Sequence, residues 1–187
     1  MKLFRQSLEQ YTDEALMREI AKGKAAAFAV LYDRYGPRMY RYFYRMLWQN
    51  TGKAEDFTQE LFLKIIEKPQ LFDTQRNFST WIYTLAANLC KNEYRRKKTS
   101  DLEPGITELW KENFSEALDH ELFAQHLREA IDQLSDNHRK CFVLRYQEER
   151  SVAEIAEIIG CPQGTVKSRL HYALQQVSSL MDMWKTN

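Results

Sequence analysis

Helical periodicity runs through nearly the whole chain and is the feature that most constrains its fold. Apolar residues recur at helical spacing over long segments, and the strict alternation of a half-buried β-strand is nowhere sustained. Only six glycines and four prolines interrupt 187 residues, which leaves little turn chemistry for a sheet of many short strands. We therefore predict an all-α fold.

Residues 78–98 are predicted to form one helix with two distinct faces, capped at its N-terminus by Ser79. The core stripe consists of Ile82, Leu85, Ala86 and Leu89. The second face consists of Trp81, Thr84, Asn88, Lys91, Asn92 and Arg95. Aromatic, amide and cationic side chains in one row can stack on bases, bond their edges and neutralise phosphates. The alternative is a buried Trp81 beside a solvated face, because charged runs are common at helix ends.

Two further helical segments precede this helix. Thr12 is predicted to cap a short helix that stops at Gly23. A long helix follows over residues 25–48, and Pro37 is expected to kink or break it. A basic stripe on the long helix consists of Arg34, Arg38, Arg41 and Arg45. A solvated face is the favoured interpretation of this stripe.

Residues 54–66 are predicted to form a helix that combines a buried stripe with a mixed outer face. The buried stripe is Phe57, Leu61 and Ile65. The mixed face consists of Asp56, Gln59, Glu60 and Leu63. Such a face suits docking on a partner protein with a basic helix. Exposed surface without a partner is the alternative.

The composition changes abruptly after Lys98. Residues 99–121 hold seven acidic residues and one basic residue, and Pro104 and Gly105 interrupt them. This composition predicts a flexible acidic linker. The chain is therefore expected to form two small helical domains, over residues 1–98 and 119–187, joined by a linker over residues 99–118.

The second domain contains the most specific local pattern of the chain, after a helix that Ser135 is predicted to cap. Ser151 and Glu154 have the spacing of a capping box, Gly160 is a helix stop, and Pro162 suits a first helical turn. Two short helices joined by a tight glycine turn form a helix-turn-helix. Its second helix is predicted to expose groove-reading residues: Thr165, Lys167, Ser168, Arg169 and His171. A plain helical hairpin is the alternative.

Several other functional classes lack residues to support them. The net charge is +1, so nucleic-acid binding must depend on where the charges lie. The three cysteines and four histidines show no metal-ligand or disulfide spacing, and no nucleophile or phosphate-loop motif is present. We expect no enzyme activity, cofactor, metal or small-molecule substrate. An early charged N-terminus and the absence of a long apolar run predict a cytoplasmic protein.

Five segments together carry a resemblance to a known family: residues 31–38, 54–60, 78–96, 152–156 and 164–170. In this order they resemble regions 2.1 to 2.4 and 4.2 of the sigma-70 family of bacterial RNA polymerase sigma factors. The chain is most similar to the small extracytoplasmic-function (group 4) class. The resemblance implies a sigma factor that directs promoter-specific transcription initiation. A free-standing helix-turn-helix regulator and an RNA-binding adaptor are the alternatives.

The resemblance also implies roles for individual residues and partners. Binding to the β′ clamp helices of core polymerase is implied for Asp56, Gln59, Glu60 and Leu63, with a second contact of the protein on the β flap. Binding to the −10 element is implied for Trp81, Asn88, Lys91, Asn92, Arg95 and Arg96. Binding to the −35 element is implied for Thr165, Lys167, Ser168, Arg169, His171 and Tyr172. An anti-sigma factor is a further implied partner.

Two departures from the family pattern qualify these roles. His171 and Tyr172 follow Arg169 where relatives often carry further arginines, which implies fewer phosphate contacts from this helix. Thr84 and Leu85 stand where primary sigma factors have tryptophans, which implies weak promoter melting and a narrow promoter set.

Overall fold

The computed structural model describes residues 8–100 and 118–186, with side chains for residues 8–96 and 122–183. Within these ranges there are eight α-helices and no β-strand, so the predicted all-α fold is confirmed. The helices are α1 (Asp13–Ala21), α2 (Ala25–Met46), α3 (Thr51–Glu67), α4 (Phe78–Ser100), α5 (Leu118–Asp132), α6 (Asp136–Phe142), α7 (Val152–Ile159) and α8 (Gln163–Thr186). A 3₁₀ turn spans Pro69–Leu71, and a π-helical turn spans Val143–Gln147.

The described residues form two compact units, one made mainly of residues before 92 and the other mainly of residues after it. The boundaries predicted from composition, 1–98, 99–118 and 119–187, stay predictions. Residues 101–117, which make up most of the predicted acidic linker, lie outside the described residues.

The core of the N-terminal unit is aromatic. Tyr42 on α2 and Tyr83 on α4 are fully buried, with ring centroids 5.4 Å apart at 90°. Phe78 is also fully buried and meets Phe72 edge-on at 5.4 Å. Edge-to-face pairs of this kind each contribute about 0.5–1.5 kcal/mol beyond the area that they bury. The rings therefore help to fix how α4 lies against α2.

The caps of α1 follow the sequence prediction. Thr12 Oγ1 accepts a hydrogen bond from Ala15 N–H at 3.2 Å. At the other end Gly23 has φ +81°, and the N–H groups of Gly23 and Lys24 donate to carbonyls of the last turn at 2.8 and 3.1 Å. This is a Schellman motif, which glycine permits because it has no Cβ to clash in the left-handed region.

Helix α2 runs through Pro37 as one element, so the predicted break does not occur. Pro37 is exposed, and water can therefore reach the Asp33 carbonyl that loses its usual helical donor. The preceding Gly36 is buried, and a Cβ there would lie 3.2 Å from the ring of Tyr32. The missing side chain thus leaves room for that ring against the helix.

Helix α4 begins at Phe78 and is capped by Asn77, so the prediction of Ser79 as its cap is wrong. Asn77 Oδ1 accepts from Thr80 N–H at 2.9 Å. Glu14 Oε1, from α1, accepts from Phe78 N–H at 3.0 Å. Burial would raise the pKa of the Glu14 carboxyl, but this bond and others outweigh it and lower that pKa. Asparagine and serine are equally good caps, and a contact from another helix decides between them.

The C-terminal unit has its own apolar core, formed by Ala130, Ile131, Leu134, Phe142, Ala173, Val177 and Met181. A buried arginine, which was not identified from the sequence, supports this core. Arg139 donates from Nε to Ile131 O at 3.2 Å and from Nη2 to the carbonyls of Asp132 and Leu134. Its guanidinium therefore supplies donors to carbonyls at and just after the C-terminus of α5, where helical donors run out.

The backbone is strained at Glu149, just after the π-helical turn. Glu149 is exposed and has φ +56°, a region that costs a residue with a Cβ about 1–2 kcal/mol. Glycine removes that cost and loses about 0.5–1 kcal/mol through greater freedom of the unfolded chain.

We therefore expect the Glu149→Gly variant to be more stable than the natural chain by about 0.5–1 kcal/mol. Urea denaturation followed by circular dichroism measures the change. The Glu149→Ala variant is the matched control and should show no such gain, because alanine keeps the Cβ. Equal stability of the glycine and alanine variants would contradict the assignment of strain at this position.

Candidate functional site

The mixed face predicted on α3 is open to solvent in the structure. All four of its members, Asp56, Gln59, Glu60 and Leu63, are exposed. The opposite side of α3 is buried and consists of Ala54, Thr58, Leu61, Phe62 and Ile65. Glu60 forms an ion pair with Lys64 at 2.6 Å, with both side chains near half exposure. Such a surface pair contributes only about 0.3–0.5 kcal/mol, so a partner can displace it at little cost.

Further exposed aliphatic side chains lie on α3 and in the turn that follows it. Leu63 is 54% exposed, and Ile66, three residues later on α3, is 46% exposed. Leu71, in the 3₁₀ turn after α3, is 57% exposed. The sequence signal for Ile66 was its spacing of three from Leu63, away from the buried stripe. An apolar strip beside two carboxylates is typical of a protein-docking surface.

The outer face of α4 carries most of the predicted −10 residues. Asn88, Lys91, Asn92, Arg95 and Arg96 are all exposed. Because they recur at steps of three and four residues, amide and cationic groups point to one side of the helix.

Trp81, unlike the exposed residues from Asn88 onward, is half-buried. Its ring centroid lies 5.0 Å from that of Phe72 and 5.7 Å from that of Phe78. Thr84, one turn further along, is also half-buried and donates its hydroxyl to Thr80 O at 2.9 Å. The N-terminal end of the face is thus packed on aromatic rings. Its remaining part is exposed to solvent, and Arg96 there forms an ion pair with Glu93 at 2.8 Å.

The buried side of α4 is wider than predicted. Ile82, Ala86 and Leu89 are buried as expected, and Leu85 is half-buried. Further buried residues of the helix are Phe78, Thr80, Tyr83, Ala87, Cys90, Glu93 and Tyr94. At about 100° per residue, Tyr83, Ala87, Cys90 and Tyr94 lie on one flank of the predicted stripe, so the helix buries a wider arc than the stripe alone.

The helix-turn-helix of the C-terminal unit forms as the sequence predicted. Ser151 N–H donates to Glu154 Oε2 at 2.8 Å, and Glu154 N–H donates to Ser151 Oγ at 3.2 Å, which completes the capping box. Gly160 ends α7 with φ +65°. Val166 and Leu170 of α8 are buried, so the opposite side of α8 faces outward.

Four of the six predicted −35 residues are exposed on that outward side: Lys167, Ser168, His171 and Tyr172. The other two, Thr165 and Arg169, are half-buried instead of exposed. Arg169 Nη1 lies 3.8 Å from Cys161 Sγ, in the turn of the motif. The side chain of Arg169 thus contacts the turn, which sequence spacing could not indicate.

His138 on α6 joins this surface and was not identified from the sequence. Its ring lies 6.3 Å from that of Tyr172 at an angle of 24°, and His171 meets the same tyrosine at 5.5 Å. Three aromatic side chains therefore lie together beside Lys167 and Ser168 on α8. Only the tertiary fold could have revealed His138, since its position lies more than 30 residues from Tyr172 in the chain.

Other chemistry is limited in the described part of the chain. Residues 8–100 and 118–186 contain no group of three or more histidine, cysteine, aspartate or glutamate side chains arranged to hold a metal ion. Burial raises the pKa of the Cys141 thiol to about 11, so this sulfur stays protonated at neutral pH. None of the helices described is long and apolar enough to cross a membrane.

Comparison with known proteins identifies both units. Residues 31–99 match the family model described as Sigma-70 region 2, and residues 130–179 match Sigma-70, region 4. The chain is 35% identical over 167 residues to the ECF RNA polymerase sigma factor SigW of Bacillus subtilis, covering 83% of this chain and 89% of SigW.

The chain belongs to the extracytoplasmic-function (ECF) RNA polymerase sigma factors. The ECF RNA polymerase sigma-E factor of Escherichia coli is a further relative, 30% identical over 91% of this sigma factor and 95% of that protein. The protein is therefore an RNA polymerase sigma factor that directs transcription initiation, and a free-standing helix-turn-helix regulator is not favoured. Sigma factors are not a class of enzymes.

Solved structures share the fold of this sigma factor. CnrH, solved in complex with the cytosolic domain of CnrY, aligns with a TM-score of 0.70 at 23% identity over 91% of this chain and 97% of that chain. The sigma factor RpoE of Bartonella quintana, solved with the anti-sigma factor NepR, aligns with a TM-score of 0.64 at 21% identity, covering 83% and 96%. At these identities the likeness establishes the helical fold.

The capping box of this sigma factor should make its helix-turn-helix sensitive to acid. Hydrogen bonds from Ser151, first from its hydroxyl and then from its N–H, outweigh burial and, with Arg150, lower the pKa of the Glu154 carboxyl below its ordinary value of 4.5. A lowered folded-state pKa stabilises the fold above the ordinary value, and that stability is lost as the pH falls through the lowered pKa.

We expect the melting temperature of the natural chain to fall more steeply than that of the Glu154→Gln variant between about pH 6 and about pH 3. Thermal melts at a series of pH values measure the difference. The Glu157→Gln variant, changed at an exposed position of the same helix, should keep the natural pH dependence. Identical pH profiles for the natural chain and the Glu154→Gln variant would contradict this prediction.

Proposed function

We propose that this sigma factor docks on core RNA polymerase through the outer face of α3 and reads promoters with the outer faces of α4 and α8. The supporting observation is that three helices, each buried on one side, leave three chemically different faces exposed. The face on α3 combines acidic and aliphatic groups, that on α4 combines amides and cations, and that on α8 combines Lys167, Ser168 and aromatic rings.

The α3 face is proposed to bind the β′ clamp helices, through Asp56, Gln59, Glu60 and Leu63. A basic partner helix would complement the two carboxylates, and Leu63 with the neighbouring Ile66 would supply apolar contact. A contact with the β flap is proposed for the C-terminal domain as a whole.

Binding of the −10 element is proposed for the face of α4. Exposed amides of Asn88 and Asn92 suit hydrogen bonds to base edges, and Lys91, Arg95 and Arg96 suit phosphates. Trp81 is packed on Phe72 and Phe78 and is half-buried. The exposed part of its indole would stack on an unpaired base.

Binding of the −35 element is proposed for α8, through Thr165, Lys167, Ser168, His171 and Tyr172. Arg169 was predicted to join them, but its contact with Cys161 favours a positioning role that holds the recognition helix against the turn. Salt dependence separates these two roles, since only a charge near phosphate releases counterions on binding.

Further proposals concern partners, location and domain limits. RpoE of Bartonella quintana was solved in complex with the anti-sigma factor NepR, and we propose an anti-sigma factor as a partner of this chain as well. We propose that the protein acts in the cytoplasm, where RNA polymerase works, and that it catalyses no reaction and needs no cofactor. The proposed domains are residues 1–98 and 119–187, joined by the acidic linker 99–118.

Reversing one charge on the α3 face should disrupt docking. We expect the Glu60→Lys variant to bind core polymerase roughly 10- to 100-fold more weakly, because it places a like charge against a basic partner. Binding of labelled protein to core polymerase, together with promoter-dependent transcription from genomic fragments, measures the effect. The control is Glu9→Lys, an exposed glutamate of the N-terminal unit that lies outside α3. Equal losses in both variants would contradict the assigned face.

The salt dependence of promoter binding tests the roles of Lys167 and Arg169. For the Lys167→Gln variant in holoenzyme we expect the slope of log affinity against log salt to fall by about 0.9, the value for one phosphate charge on duplex DNA. For Arg169→Gln we expect an unchanged slope and a lower melting temperature. The probe is a promoter fragment recovered by transcription from genomic DNA in vitro. A reduced slope for Arg169→Gln would instead place its guanidinium on DNA.

A further inference from the structure

The arginines of the basic stripe on α2 differ in their contacts: some are bonded within the fold, and others are exposed to solvent. Arg34 donates from Nη1 to Asp13 Oδ1 at 2.6 Å and to Tyr11 O at 2.9 Å, and from Nη2 to Glu9 O at 2.7 Å. These bonds use its guanidinium to fasten α2 to α1 and to the segment before it. Arg34 is therefore a structural residue and contributes no open charge.

Arg38 and Arg41 differ from Arg34 because both are exposed. Neither has a hydrogen bond or ion pair within residues 8–96 and 122–183. A helix dipole favours cations in the last turn, which accounts for Arg45 at the end of α2. It does not account for Arg38 and Arg41, which lie further back. Asp33 is the only acidic residue in the sequence of α2, more than one turn before Arg38.

Two tyrosines lie beside these arginines. Tyr40 and Tyr44 are half-buried, and their rings stack with centroids 6.3 Å apart at an angle of 21°. At about 100° per residue, Tyr40, Tyr44, Arg41 and Arg38 follow one another around one side of the helix. We call these four residues the α2 basic-aromatic face.

We propose that the α2 basic-aromatic face binds single-stranded DNA, with Arg38 and Arg41 on phosphates and the tyrosine pair stacking on a base. Cations interleaved with rings are the chemistry by which proteins track a single strand, because every base has a stacking face. In duplex DNA the base faces are covered by stacking, so a duplex would contact only the charges of Arg38 and Arg41. The inference rests on the proposed function, since promoter opening is what exposes a single strand.

The test compares full-length variants on a labelled poly-dT oligonucleotide of about 20 nucleotides, followed by fluorescence anisotropy at several salt concentrations. We expect the Arg38→Gln, Arg41→Gln double variant to lower the slope of log affinity against log salt by about 1.4, from about 0.7 per phosphate on single strands. We expect Tyr44→Leu, which keeps an apolar side chain, to weaken binding roughly 5- to 100-fold at an unchanged slope.

The Arg18→Gln, Arg128→Gln double variant is the matched control, because it removes two exposed positive charges elsewhere. It should keep the natural slope, and thermal melts establish that each variant folds. An unchanged slope for the α2 double variant, or no measurable binding by the natural chain at low salt, would overturn the proposal. Equal losses on a duplex of the same length would overturn it too, as would weaker core-polymerase binding with unchanged DNA binding.

Transcription with core polymerase separates failure of this inference from failure of the proposed function. If the natural chain gives no promoter-dependent transcript on any genomic fragment, the proposed function fails, and the inference that rests on it loses its single-stranded target. If it gives transcripts while the α2 double variant binds the oligonucleotide as the natural chain does, only the inference fails.

Discussion

Two carboxylates in the first turn of α1 hold the N-terminal unit together. Asp13 accepts from Arg34 Nη1 at 2.6 Å and from Tyr35 Oη at 2.5 Å, and thereby fastens α2. Glu14 accepts from the first N–H of α4 at 3.0 Å. Acids are favoured at a helix N-terminus in any case. Here they also link α1 to two other helices, Asp13 to α2 and Glu14 to the N-terminus of α4.

The division of each helix into a buried side and an exposed side creates the surfaces that we propose for binding. A helix that buries Leu61 and Ile65 must present Glu60 and Leu63 on its other side, because the helical repeat leaves no alternative. The buried side supplies the stability, at roughly 1.5–3 kcal/mol for each large apolar side chain. The exposed side can then carry the charge and the leucine of the proposed docking face at little cost to the fold. A sigma factor built this way can present several of the proposed binding faces on two small units.

Local sequence signals predicted much of this structure because they act within one helix. Thr12, Gly23, Ser135 and the Ser151–Glu154 pair each cap or end a helix through neighbours a few residues away. Such contacts depend on spacing along the chain, and spacing can be read directly. Two local predictions were wrong at positions where another segment also contributes a contact. Asn77 caps α4 instead of Ser79, with Glu14 bonded beside it, and Arg169 meets Cys161 instead of standing fully exposed.

The sequence by itself determined the helices, the outer face of α3, the helix-turn-helix and the family resemblance, because periodicity and capping are short-range properties of the chain. Only the tertiary structure decided which polar side chains form hydrogen bonds within the fold and which stay exposed. Arg34 and Arg139 look like surface cations in the sequence, yet each bonds backbone carbonyls of another segment. Arg38 and Arg41 have the same chemistry and stay open. Burying a charge requires partners in place, and those partners come together only when the chain folds.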